Sequence, residues 1–164
     1  METSSTFTAF LDDLVLAAGV RNHVAAATAT HPAGQVLVLN DATGRAVDFD
    51  PRQPAARPGP GRPKLGVTSR EVTLLPRHWE WLSAQPGGAS ASLRRLIEDA
   101  RRDPAHAARE RRDAAYAAMS ALAGDRPGFE DASRALFAGD TAAFEQRLAA
   151  WPPDIADYLR RLLA

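Results

Sequence analysis

The chain contains no cysteine. That excludes a disulfide framework, a thiolate nucleophile and any cysteine-ligated zinc or iron–sulfur centre. The apolar run from Leu14 to Val20 falls far short of the roughly 20 residues that a bilayer-spanning helix needs. Met1-Glu2-Thr3-Ser4-Ser5 lacks the basic start of a secretory signal. These absences lead to the expectation of a cytoplasmic protein with no membrane role. Net charge is also missing, with twenty basic residues balancing twenty acidic ones, so the average does not describe a nucleic-acid binder. The average conceals a segregation. Pro51 to Arg112 holds thirteen Lys and Arg against six Asp and Glu, whereas the remainder holds seven against fourteen.

A length of 164 residues with 45% hydrophobic and 24% charged side chains suits one domain or two small ones with a real core. The pattern is α+β. Residues 1–50 read as a small α+β unit: Thr6 to Phe10 as a strand, Leu14 to Ala17 as its hairpin partner or a helix, and Val20 to Thr30 as an alanine-rich helix. Val36-Leu37-Val38-Leu39 and Val47-Asp48-Phe49 flank Asn40-Asp41-Ala42-Thr43-Gly44, whose residues suit a hairpin loop. Residues 51–66 form a Pro/Gly/Arg-rich linker. Residues 67–102 combine a strand, Val67 to Leu75, with two helices. The first helix starts at Pro76 and stops at Pro86-Gly87-Gly88. The second is capped by Ser90 or Ser92, with Leu93, Leu96, Ile97 and Ala100 as its apolar stripe. Residues 103–164 are helical, from Asp103-Pro104 to Leu122, Phe129 to Phe137, Thr141 to Ala149 and Pro153 to Leu163.

Catalytic constellations are weak. His23, His31, His78 and His106 show no metal-ligand spacing, and Asp12-Asp13 and Asp48 with Asp50 fall at expected turns, where carboxylates cap backbone amides. The prolines of Gly59-Pro60-Gly61-Arg62-Pro63-Lys64 remove N–H donors that a phosphate-cradling loop needs. No enzyme activity, metal or cofactor is expected; a small hydrolase using Asp48, Asp50 and His31 is the weakest alternative.

The strand before the two helices carries more information. It has no hairpin partner within reach, so its backbone groups must pair elsewhere or stay in water. The same strand of a second chain would complete it as a two-fold antiparallel ribbon, an element that fits a DNA major groove. Arg70-Glu71-Val72-Thr73-Leu74-Leu75-Pro76, Trp79-Glu80-Trp81-Leu82 and Gly88-Ala89-Ser90-Ala91-Ser92-Leu93-Arg94-Arg95-Leu96-Ile97 resemble the strand, first helix, glycine turn and second helix of ribbon-helix-helix DNA-binding proteins. The resemblance implies that Glu71 and Thr73 face the bases and that Ser90 and Ser92 anchor phosphate. The apolar pattern of Val72 and Leu74 leaves the strand register open, and Arg70 stands beside Glu71 and Thr73 as a base-facing candidate. Arg62, Lys64 and Arg77 add a basic approach, and Gly61-Arg62-Pro63 resembles the core of an AT-hook.

Gly61-Arg62-Pro63-Lys64-Leu65-Gly66-Val67 through Leu82, and Asp125 through Trp151, are similar to a bacterial family catalogued as domain of unknown function 2239, a resemblance that supplies no activity. The expectation for the whole is a homodimer that binds double-stranded DNA, acting as a transcriptional regulator through its intermolecular ribbon. The alternative is an interaction module whose strand pairs with a protein. A third arrangement, a monomer whose strand joins the N-terminal sheet, is compatible with the same residues.

Overall fold

In the computed structural model, residues 5–32, 34–48 and 70–164 are described. The fold is α+β and mostly helical. Its strands are β1 (Thr6–Leu11), β2 (Leu14–Val20) and β3 (Val36–Asn40). Its helices are α1 (Arg21–Thr28), α2 (Pro76–Ser83), α3 (Gly88–Arg102), α4 (Pro104–Ala123), α5 (Phe129–Ala138), α6 (Thr141–Leu148) and α7 (Pro153–Leu163). These residues divide into two compact units, one made of Met1–Ala56 and Ala108–Ala164, the other of Arg57–Ala107.

In the first unit, Asp12 turns the chain between β1 and β2 with φ 52°, a conformation that a short polar side chain tolerates. The Leu14 segment is therefore a strand. β1 is central in an antiparallel sheet of order β2-β1-β3, with a register shift between Ala9 and Phe10 against β2. Successive side chains of a strand point to opposite faces, and β1 is apolar on both. Phe7 and Ala9 join Ala17, Val24 and Val38 in a cluster on the α1 side. Phe10 and Leu39 join Met119, Leu136, Phe144, Leu148, Ile155 and Leu159 from α4–α7 on the other. Removing each large side chain of this second cluster from water contributes about 1.5–3 kcal/mol.

The loop after β3 follows its turn chemistry. Asn40 Oδ1 accepts from the Ala42 N–H at 2.9 Å, and the Gly44 N–H donates to the Asn40 carbonyl at 2.7 Å. The expected return strand is reduced to an isolated bridge, Leu39 with Ala46, made by bonds from the Asn40 N–H to the Arg45 carbonyl at 3.0 Å and from the Val47 N–H to the Val38 carbonyl at 2.9 Å. Gly44 turns the backbone against α4 instead of extending a hairpin, and Phe49 lies outside the described residues.

Asp41 ties this loop to α7. Its Oδ1 accepts from the Thr8 hydroxyl at 2.8 Å and from the Tyr158 hydroxyl at 3.2 Å. Arg161 donates to Thr8 Oγ1 at 3.4 Å and stands 5.2 Å from the centre of the Tyr158 ring. Burial, helped by the Asp41 charge and hydrogen bond, pushes the Tyr158 phenol well above its ordinary value of 10.0. Because the folded value is raised, the resulting stabilisation is complete below pH 10 and is lost as pH rises beyond it. Tyr158→Phe is expected to cost about 1 kcal/mol at pH 8 and to make stability fall less between pH 9 and about pH 11. Urea unfolding at those pH values measures both effects; an alkaline slope identical to the parent's would refute the linkage.

The C-terminal helices end where their residues require. Asp140 caps α6 by accepting from the Ala143 N–H at 2.9 Å, and Pro153 opens α7 at a position that needs no N–H partner. Trp151 is buried just before α7, its Nε1 donating to the Pro127 carbonyl at 3.1 Å. Two further contacts tie the β1–β2 hairpin to the helical part: the Val15 N–H donates to Asp154 Oδ2 at 2.7 Å, and Arg126 in the α4–α5 turn pairs with Asp13.

Candidate nucleic-acid interface

The described part of the second unit begins at Arg70. Proline disfavours helical backbone in the residue before it, and Leu75 is accordingly extended, φ −68° and ψ 150°, next to Pro76 at the first position of α2. The Leu75 carbonyl accepts from His78 and Trp79 as the helix starts. α2 ends in a tight turn through Gly87 and Gly88, with φ 83° and 71°. A Cβ at Gly87 would lie 2.9 Å from that of Ala91, so glycine is needed there for conformation and for space. α3 follows for four turns, with Arg101 and Arg102 in its last turn where the helix dipole favours cations.

These elements bury very little. Among the described residues of this unit, Leu82 and Ser92 alone are buried. Trp81 is 52% exposed and Ile97 56%, while Val72, Leu75, Trp79 and Leu96 are exposed as well. Leu74, His78, Trp81, Leu82, Leu93 and Leu96 line an apolar hollow of about 260 Å³. A helix pair with one buried leucine lacks the apolar burial needed to offset the entropy of ordering it.

Three expectations are corrected here. Residues 70–75 form no strand among the described residues, and none of the sheet's three strands comes from this segment. A strand needs a second edge to pair with, and the described residues offer none at this point. Residues 67–69 lie outside the described region. Neither serine caps α3: Gly87 occupies the N-cap without a side-chain bond. Ser90, in the first turn, is exposed, but Ser92 is fully buried with no partner for its hydroxyl among the described residues, which removes it as a phosphate anchor. In the stripe of α3, Leu93 is half-buried, whereas Leu96 and Ile97 are not covered by any of the described residues.

Of the other predicted site residues, Arg70, Glu71 and Thr73 are exposed on the extended segment and Arg77 is exposed on α2. Leu74 is half-buried and lines the hollow, which Glu71 and Thr73 do not. Arg62 and Lys64, with the AT-hook-like tripeptide, lie outside the described residues. Arg70, Arg77, Arg94 and Arg95 have no carboxylate partner among the described residues, whereas Arg101 pairs with Glu98 at 3.4 Å. Among the described residues, no three His, Asp or Glu side chains gather as a metal site. Trp79, Trp81, Leu96 and Ile97 are all exposed large apolar side chains. Trp79 and Trp81, two residues apart, point to different faces of α2.

The family described as uncharacterized protein conserved in bacteria (DUF2239) matches residues 52–163, a span that takes in α2 to α7 and leaves out the sheet. No curated protein and no solved structure matches the chain.

Proposed function

This chain belongs to the bacterial family DUF2239, and we propose that it is a DNA-binding protein, a transcriptional regulator in class, that acts as a homodimer through residues 70–102. The observation that supports this reading is the uncovered apolar face of α2 and α3 beside residues 70–75, whose backbone has no ladder partner among the described residues. A second copy supplies what both lack: an antiparallel mate for residues 70–75 and an apolar surface for Trp79, Trp81, Leu96 and Ile97. The ribbon then carries Glu71 and Thr73 toward base edges, with Arg70 beside them. Arg77, Arg94 and Arg95 supply phosphate contacts from the helices, and Ser90 offers a hydroxyl at the start of α3.

Fluorescence anisotropy with mixed genomic duplexes at low salt tests the proposal. If four to six phosphates are neutralised per protomer, log affinity against log salt should fall with a slope of about −7 to −11 for the dimer. Arg70→Ala combined with Arg77→Ala should make the slope shallower by roughly 4, two contacts in each of two protomers. No binding at tens of micromolar protein at low salt would sink the proposal.

A second reading, pairing of the same face with a different protein, is favoured by one feature. Five carboxylates, Glu71, Glu80, Glu98, Asp99 and Asp103, lie among the six arginines of residues 70–107. A stoichiometric protein partner combined with no effect of salt on DNA retention would favour it.

A further inference from the structure

The first unit contains a cavity that the DNA-binding proposal does not use. It measures about 410 Å³, opens to solvent, and is lined by α4, α5, α6, α7 and the Gly139–Thr141 turn. Its floor is apolar: Ala135, Leu136 and Phe144 are buried, and Leu163 is half-buried. Its polar groups fall into two classes. Asp140 is committed to capping α6, and Arg160 and Glu145 are committed to each other through two bonds at 2.8 and 2.9 Å, with Asp157 accepting the arginine's third at 2.7 Å. Arg111 and Arg112 also line the cavity, and neither has a carboxylate partner among the described residues. Arg112 is half-buried, so its charge has lost part of its hydration without gaining a counter-ion.

An apolar floor with uncommitted guanidinium groups on one wall is complementary to an organic anion whose charged group is joined to a hydrocarbon body. We propose that this cavity binds a small amphipathic monocarboxylate. Its carboxylate would be received by Arg112 with Arg111 beside it, and its aliphatic part would lie over Leu136, Phe144 and Leu163. The proposal does not depend on the DNA-binding reading, since all the residues it uses belong to the first unit.

The full chain is titrated by calorimetry with three probes: octanoate, octylammonium and acetate. Octanoate should bind one per chain, at least 10-fold more tightly than octylammonium, which has the same hydrocarbon and the opposite charge. Acetate, which has the charge and lacks the body, should not saturate. Arg112→Ala should weaken octanoate binding roughly 10- to 100-fold through loss of a charge-assisted pair. Leu163→Trp should abolish it by filling the cavity. Amide NMR shifts on adding octanoate should centre on Thr141, Phe144 and Leu163. The proposal is overturned if octanoate fails to bind by about 10 mM, if octylammonium binds equally well, or if Arg112→Ala leaves affinity unchanged. Shifts centred on Trp81 and Leu96 would overturn it as well, by placing the binding on the exposed face of α2 and α3.

Discussion

Ile97→Glu is expected to convert the protein from dimer to monomer and to lower DNA affinity at least ~100-fold, while leaving the sheet and α4–α7 folded. Ile97 is more than half exposed in the single chain, so a glutamate there has no effect on a core that this chain builds for itself. In the dimer the side chain is desolvated. Losing an isoleucine contact costs about 1.5–3 kcal/mol, and placing an unpaired carboxylate in the same position costs more, in both protomers. The same face is self-complementary in charge. Antiparallel packing of α3 on its copy about the midpoint between Leu96 and Ile97 sets Glu98 opposite Arg95 and Asp99 opposite Arg94. Sedimentation equilibrium reads the oligomeric state and anisotropy reads the affinity. Trp81→Glu serves as a second probe from α2. A parent protein that sediments as one chain at micromolar concentration, or a variant that binds DNA as the parent does, would end the dimer proposal.

Gly44→Ala is expected to destabilise the first unit by about 3–4 kcal/mol, far beyond an ordinary surface change. Gly44 has φ 64°, and a Cβ there would fall 1.8 Å from the Ala114 carbonyl oxygen and 2.7 Å from the Ala114 carbonyl carbon. Those atoms are helix backbone in α4, which cannot rotate away as a flexible side chain does. Relief requires moving the Asn40–Gly44 loop, and with it Asp41 and its bonds to Thr8 and Tyr158. Gly139→Ala is the control. It shares the left-handed backbone, φ 71°, but has open space around the added methyl, so it should cost only about 1 kcal/mol. Parallel urea titrations measure the difference; equal losses at the two glycines would show that the Gly44 contact with α4 is not a constraint.

The secondary structure was largely legible because its signals are local. The prolines at 76, 104 and 153 mark helix starts, Gly139-Asp140 separates α5 from α6, and the short apolar run of β3 before the Asn40–Gly44 turn is plain in the residues. Long-range packing was not legible. Nothing in the periodicity of Thr6 to Leu11 says that one face of β1 meets α1 and the other meets helices more than a hundred residues away, since an apolar side chain carries no label for its neighbour. The same limit governed the candidate interface. Leu96 and Ile97 show core spacing whether the covering surface comes from this chain or from another, so the pattern was visible and its exposure was not. Ser92 erred in the opposite direction. Serine near a helix start suggests a cap, but the left-handed Gly87 takes the N-cap and leaves Ser92 buried.

The placement of β1 has a consequence for biosynthesis. Phe10 rests edge-on against Tyr158, ring centres 5.3 Å apart, so the second face of β1 is completed only when α7 has cleared the ribosome. At bacterial elongation speeds of up to about 20 residues per second, that interval lasts roughly 7 s or more. During that time the nascent hairpin presents Phe10 and Leu39 to solvent, a window in which a chaperone has a greasy target that the finished molecule never displays.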